Sequence, residues 1–220
     1  MFNLIIKDLL VLKKVFFLGL LYIPLLMIAF GYSGGAMASV GIIGFTYILV
    51  TSSCANDDKY SVDILMNCLP INRSTVVTSK YLTVVFYTFI GFLIYVFFSW
   101  LIPFLGLPFR IAGISREAII TTLLAVVIMN SILLPLFFKF GYIKSKVFNF
   151  ILFFAFFFGA GFVESVVKDN YDTKPLLNEL INTFANQSGA LIMLETIALM
   201  LFIFIASWLI SIRAYAKREF

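Results

Sequence analysis

From Val15 to Asn56 the chain carries no charged side chain. A transmembrane helix needs about 20 residues, so this run is too long for one span and long enough for two. Gly31-Tyr-Ser-Gly-Gly35 breaks it near the middle and supplies a turn. The rest of the chain is similar in character. Of its 220 residues, 62% are hydrophobic and 12% charged, with a mean hydropathy of +1.07. Soluble domains are about 25% charged, so much of this surface must face lipid. The apolar runs are continuous rather than alternating, which predicts helices and not barrel strands. The first run follows Lys13 and Lys14 and has no small-residue cleavage pattern, so it is expected to be a span rather than a signal peptide.

The pattern predicts an all-α membrane protein of six transmembrane helices in one transmembrane domain, 1–220. Residues 1–14 are an N-terminal interfacial helix and 15–55 hold spans one and two. A loop follows at 56–80, spans three and four fill 81–138, and 139–146 is a second loop. Span five is 147–167, a loop with an amphipathic helix takes 168–190, span six is 191–212, and 213–220 is a tail. The basic residues sort by side. Twelve of the 16, namely Lys7, Lys13, Lys14, Lys59, Arg73, Lys80, Lys139, Lys144, Lys146, Arg213, Lys217 and Arg218, fall on one side; Arg110, Arg116, Lys168 and Lys174 fall on the other. Lys and Arg accumulate in cytoplasmic loops, so both termini are expected in the cytoplasm, at a bacterial cytoplasmic membrane. Clusters that serve as topology anchors leave no case for nucleic acid, despite the net charge of +5.

The stretch from Cys54 to Leu82 is the most charged and turn-rich of the first half. Val62, Leu65, Met66 and Leu69 recur at i, i+3, i+4 and i+7, one apolar stripe of a short helix. Asp57 and Asp58 are expected at its start, where the helix dipole favours carboxylates. Pro70 ends it, and Asn72 or Ser74 can cap the next helix. Such a helix either lies flat on lipid or docks a soluble partner. Its carboxylates would be repelled by anionic lipid, which favours docking.

Cofactor chemistry finds little support. Histidine is absent, and the two cysteines, Cys54 and Cys68, are expected as free thiols. No Gly-x-x-x-x-Gly-Lys-[Ser/Thr] occurs, so the chain is not expected to be an ATPase itself. The span interiors are almost free of ionisable groups, which argues against an ion-coupled carrier and against an intramembrane enzyme. Glu164 and Glu195 stand at outer span ends, where they either reach the interface or line an exit. After Pro175, residues Leu176, Leu177, Leu180, Ile181 and Phe184 form the stripe of the outer helix, either a surface connector or a gate.

Asn56-Asp-Asp-Lys-Tyr60, Leu69-Pro-Ile-Asn-Arg73 and Lys80-Tyr-Leu82 together resemble the first cytoplasmic loop of ABC-2 type permeases, the membrane subunits of ABC exporters. Met1 to Leu10 looks like the family's N-terminal interfacial helix, and Ser211 to Phe220 resembles its Arg-Glu-Phe tail. The resemblance implies a permease subunit with no ATPase site of its own. It implies a coupling helix from Asp57 to Leu69 that fits a cleft on the ATPase subunit. On that basis Asp57, Asp58, Val62, Leu65, Met66, Leu69, Pro70 and Arg73 are the coupling candidates. Glu164, Glu195, Leu180 and Phe184 are the candidates for a pathway or gate. Six spans make half a pathway in this family, so a second permease copy, identical or a sister chain, is implied. The apolar lining suits an amphipathic cargo, peptide or lipid-like, moved outward. The competing expectation is a self-protection or sensor protein that binds peptide at its outer face without transport.

Overall fold

The structure is a computed structural model that describes residues 2–29, 35–60, 62, 65, 72–104, 115–148, 150–151, 153–155 and 189–218. Every regular element among them is helical. They are α1 (Phe2–Val11), α2 (Lys13–Ala29), α3 (Gly35–Lys59), α4 (Arg73–Phe104), α5 (Arg116–Phe140) and α6 (Gly189–Ala216). A further helical stretch starts at 142. Four of these helices, α3 to α6, are long and apolar enough to cross a membrane, and α1 with α2 gives a fifth if counted as one broken span. The expected fifth span is described only as far as residue 155. Its remainder and the outer helix at 168–190 lie outside the described residues.

The connection between α3 and α4 differs from the sequence expectation. Helix α3 continues through Lys59 and α4 begins at Arg73, so the non-span segment shortens from 56–80 to about 60–72. Asp57 and Asp58 therefore stand in the last turn of α3, not in the first turn of a separate helix. The sequence reading took the first charge as the end of the span. The charges at 57 and 80 neutralise each other across the bundle, which lets both helices run on.

Helix α3 is the axis of the fold and packs against α2, α4 and α5, while α6 packs most extensively on α5 and also meets α4. Ile42, Phe45, Thr46, Leu49, Ser53 and Cys54 on α3 are all buried. Glycines let its neighbours approach. A β-carbon at Gly19 would stand 2.8 Å from the Phe45 ring, and one at Gly91 would stand 3.2 Å from the other edge of that ring. Phe45 is thus clasped between α2 and α4. A β-carbon at Gly44 would meet the Tyr22 hydroxyl at 2.5 Å. Gly44 is therefore occupied by packing within the chain.

By contrast, α6 buries a narrow stripe: Met200, Ser207, Ser211 and Tyr215. Its polar members tie it to the bundle. Pro135 has no N–H to give the carbonyl four residues back, which frees the Ser131 carbonyl. Ser207 Oγ donates to that oxygen at 2.8 Å. With its proton spent there, Ser207 accepts from the Tyr81 hydroxyl at 2.7 Å, and Tyr81 in turn accepts from Ser211 at 2.7 Å. Small polar groups of this kind join helices where lipid supplies no hydrophobic drive.

Helix ends follow local rules. Ser115 caps α5, its hydroxyl accepting from the Ala118 N–H at 3.1 Å. Gly141 ends α5 at φ 77, a left-handed backbone that glycine adopts without a β-carbon penalty. Between α1 and α2 the chain bends by 72° at Leu12, with no proline or glycine there. Leu12 is instead drawn into the core at 1% exposure.

Candidate functional site

The ends of α3 to α6 that carry the basic residues gather at one end of the bundle. Arg73 opens α4 there, and its guanidinium reaches the end of α6. Its Nη1 donates to the carbonyls of Tyr215, Ala216 and Arg218 at 3.2–3.3 Å. The last carbonyls of a helix have no intrahelical partner, and a cation there also meets the negative end of the dipole. Arg73, expected as a coupling residue, is in this structure a clamp on the C-terminus of α6. Arg73→Ala is expected to cost about 1 kcal/mol. It should also raise amide hydrogen exchange at 213–218, with Arg73→Lys intermediate on both readouts.

Beneath the clamp lies a closed ring of four charges from three helices. Lys80 on α4 places Nζ 2.8 Å from Asp8 Oδ2 on α1 and beside Asp57 Oδ2 on α3. Lys7 on α1 places Nζ 3.1 Å from Asp8 Oδ1 and 3.1 Å from Asp57 Oδ1. Each carboxylate therefore gives one oxygen to each lysine. Lys80 donates its third hydrogen to Ser53 Oγ at 2.6 Å, so none of its own donors is left over. The side chains of Lys80, Asp8 and Asp57 are 8%, 5% and 11% exposed, so the ring is largely out of solvent. Beside it is a small, partly open cavity of about 20 Å³ against Leu4, Ser79 and Phe138, room for about one water.

The local reasons are legible. A carboxylate in the last turn of α3 faces the unfavourable end of the dipole and needs compensation. Lys80, two turns into α4, lies opposite Asp57 because α3 and α4 run antiparallel. Asp8 completes the balance from α1. An isolated charge at this depth would be costly; two of each sign, paired in a closed ring, are tolerated. Sequence reasoning did not single out Asp8. The available signal was that Asp8 is the only acidic residue in the first 56 positions.

The other expected site residues are scattered. Asp58 lies close to the Arg218 guanidinium around Gly141. Val62 is half-buried and Leu65 is 61% exposed. Met66, Leu69 and Pro70 lie outside the described residues, as do Glu164, Leu180 and Phe184. Glu195 is exposed in the second turn of α6. Polar groups within the spans are held locally: Ser53 by Lys80, Asn130 by donating to the Val126 carbonyl at 2.8 Å, and the Tyr47 ring lies against Phe153 at 5.0 Å.

Among the described residues, two larger cavities are notable. One, about 360 Å³, lies at the basic end between Tyr47, Thr51, Tyr142 and Lys146. Burial, with Cys54 and Asp58 nearby, pushes the Tyr142 phenol up from its ordinary value, so it stays neutral. The other, about 750 Å³, runs between α4, α5 and α6 along Val84, Phe89, Leu123, Val127 and Phe204. Its one hydroxyl, Thr88, donates to the Val84 carbonyl of its own helix, so the wall presents no free donor. Among the described residues no group of side chains could hold a metal ion. A charge-neutral ring and a guanidinium clamp thus fasten α1, α3, α4 and α6 on either side of the 60–72 connection.

No curated protein and no solved structure matches the chain. A family model described as ABC-2 family transporter protein matches residues 3–216. With membrane-crossing helices and a match over nearly its whole length, the chain belongs to the ABC-2 family of transporter proteins and is a permease subunit of an ABC transporter.

Proposed function

We propose that this permease works in an ATP-driven exporter with a separate ATPase subunit and a second permease copy, and that its cargo is an amphipathic peptide carried outward. The observation that carries this reading is how the 60–72 connection is anchored. Asp57, just before it, is locked to Lys80, and Arg73, just after it, is locked to α6. A partner that pushes on Val62, Leu65, Met66, Leu69 or Pro70 therefore moves α3, α4 and α6 together. ATP and Mg belong to that partner. In this reading the basic end faces the cytoplasm with both termini, and α1 lies at the interface. A large groove lined by apolar side chains supports a cargo with a substantial apolar face.

The test is co-expression with the ATPase subunit. Leu65→Asp buries a carboxylate in the proposed contact and is expected to weaken ATPase association at least tenfold, about 1.4 kcal/mol. Unchanged association would remove the connection from the docking role. Inside-out vesicles with the intact pair should accumulate a fluorescent amphipathic peptide in an ATP-dependent way. Robust hydrolysis with no accumulation would exclude peptide as cargo.

A further inference from the structure

The corner between α1 and α2 presents an outward surface of one kind. Ile6, Leu10 and Val11 are exposed at 49%, 68% and 51%, and Lys13 and Lys14 follow, both exposed. The only acidic residue of α1, Asp8, is turned inward and bound by Lys80 at 2.8 Å. Lys7 is likewise drawn in, 3.1 Å from both carboxylates of the ring. The ring therefore fixes the roll of α1 so that its carboxylate is hidden and its apolar groups face out. The 72° bend lays α1 across the bundle at the basic end, where the spans finish. An apolar strip beside two lysines, with no exposed carboxylate, complements the boundary between acyl chains and negatively charged headgroups.

We propose that the α1–α2 corner is a binding surface for anionic phospholipid, with Lys13 and Lys14 on headgroup phosphates and Ile6, Leu10 and Val11 at the acyl boundary. The bundle has other exposed lysines at this end, Lys144 and Lys146. Both follow α5, Lys146 borders the cavity of about 360 Å³, and the pair is the natural control. The test uses the full chain in bilayer discs of phosphatidylcholine and phosphatidylglycerol, with spin-labelled lipids of each kind as probes. The wild type should enrich phosphatidylglycerol at its surface over phosphatidylcholine. Lys13→Gln with Lys14→Gln should lower that preference about fivefold, the effect of roughly one lysine's full attraction to an anionic surface. Lys144→Gln with Lys146→Gln should change it less than twofold. An unchanged preference in the first pair overturns the proposal. So does an equal fall in both pairs, which would mean only a diffuse attraction of the basic end. Neither ATPase nor cargo enters the measurement, so its failure would leave the transport reading standing, and the converse holds.

Discussion

Replacing Lys80 with methionine is expected to destabilise the protein by about 3–5 kcal/mol, the cost of leaving a buried ion pair with one partner gone. Lys80 neutralises parts of two carboxylates, Asp8 and Asp57, and both are nearly out of solvent. Lys7 alone cannot balance them, and it is the most exposed member of the ring at 30%. The measurement is the thermal midpoint and the monodisperse fraction in detergent. The informative comparison is the triple variant Lys80→Met with Asp8→Asn and Asp57→Asn. It removes the stranded charges as well as the cation and is expected to recover most of the loss. A methionine variant as stable as the parent would mean that the ring is not holding α1 to α3 and α4. Failure of the triple variant to recover would mean that the loss came from packing around the lysine stem.

The second large effect is expected at Phe45. Lipid is as apolar as a phenylalanine ring, so moving the ring between core and bilayer gains little hydrophobic energy. What Phe45→Ala loses is contact. Vacating about 100 Å³ at about 24 cal/mol per Å³ gives roughly 2.4 kcal/mol. The ring is fully buried, flanked by Gly19 on α2 and Gly91 on α4, with Phe16 edge-on at 6.3 Å. Gly91→Leu alone should also destabilise, by about 1–3 kcal/mol of overpacking. In the Phe45→Ala background the same leucine has space, so the two changes should together cost less than their sum. Strict additivity in that double-mutant cycle would mean the two positions do not meet.

The sequence was most informative where the physics is one-dimensional. Continuous apolar runs specify lipid-crossing helices. The lopsided lysines and arginines predicted which helix ends belong together, and Arg73 on the α6 carbonyls, with Phe138 against Tyr215 at 5.3 Å, places ends of α4, α5 and α6 in one region as that sorting requires. The Leu-Pro-x-x-Arg and acidic elements of the first loop pointed to the family that residues 3–216 match. Where the charges went was less legible. Asp57 read as the exposed start of a docking helix, because a carboxylate ahead of an apolar stripe commonly has that role. Lys80 read as a topology anchor.

Composition and order along the chain thus determined that this protein is helical and lies in a membrane, because hydrophobic length and loop charge act on each span almost independently, while the first-loop motifs carried the resemblance to the ABC-2 permeases. Only the tertiary structure decided that Asp8, Asp57, Lys7 and Lys80 form one neutral ring, that Arg73 closes the end of α6, and that three glycines are spent on Phe45 and Tyr22. These are pairings between residues as far apart as 72 and 143 positions, and no local propensity specifies which distant partner a buried charge or an uncapped helix end will find.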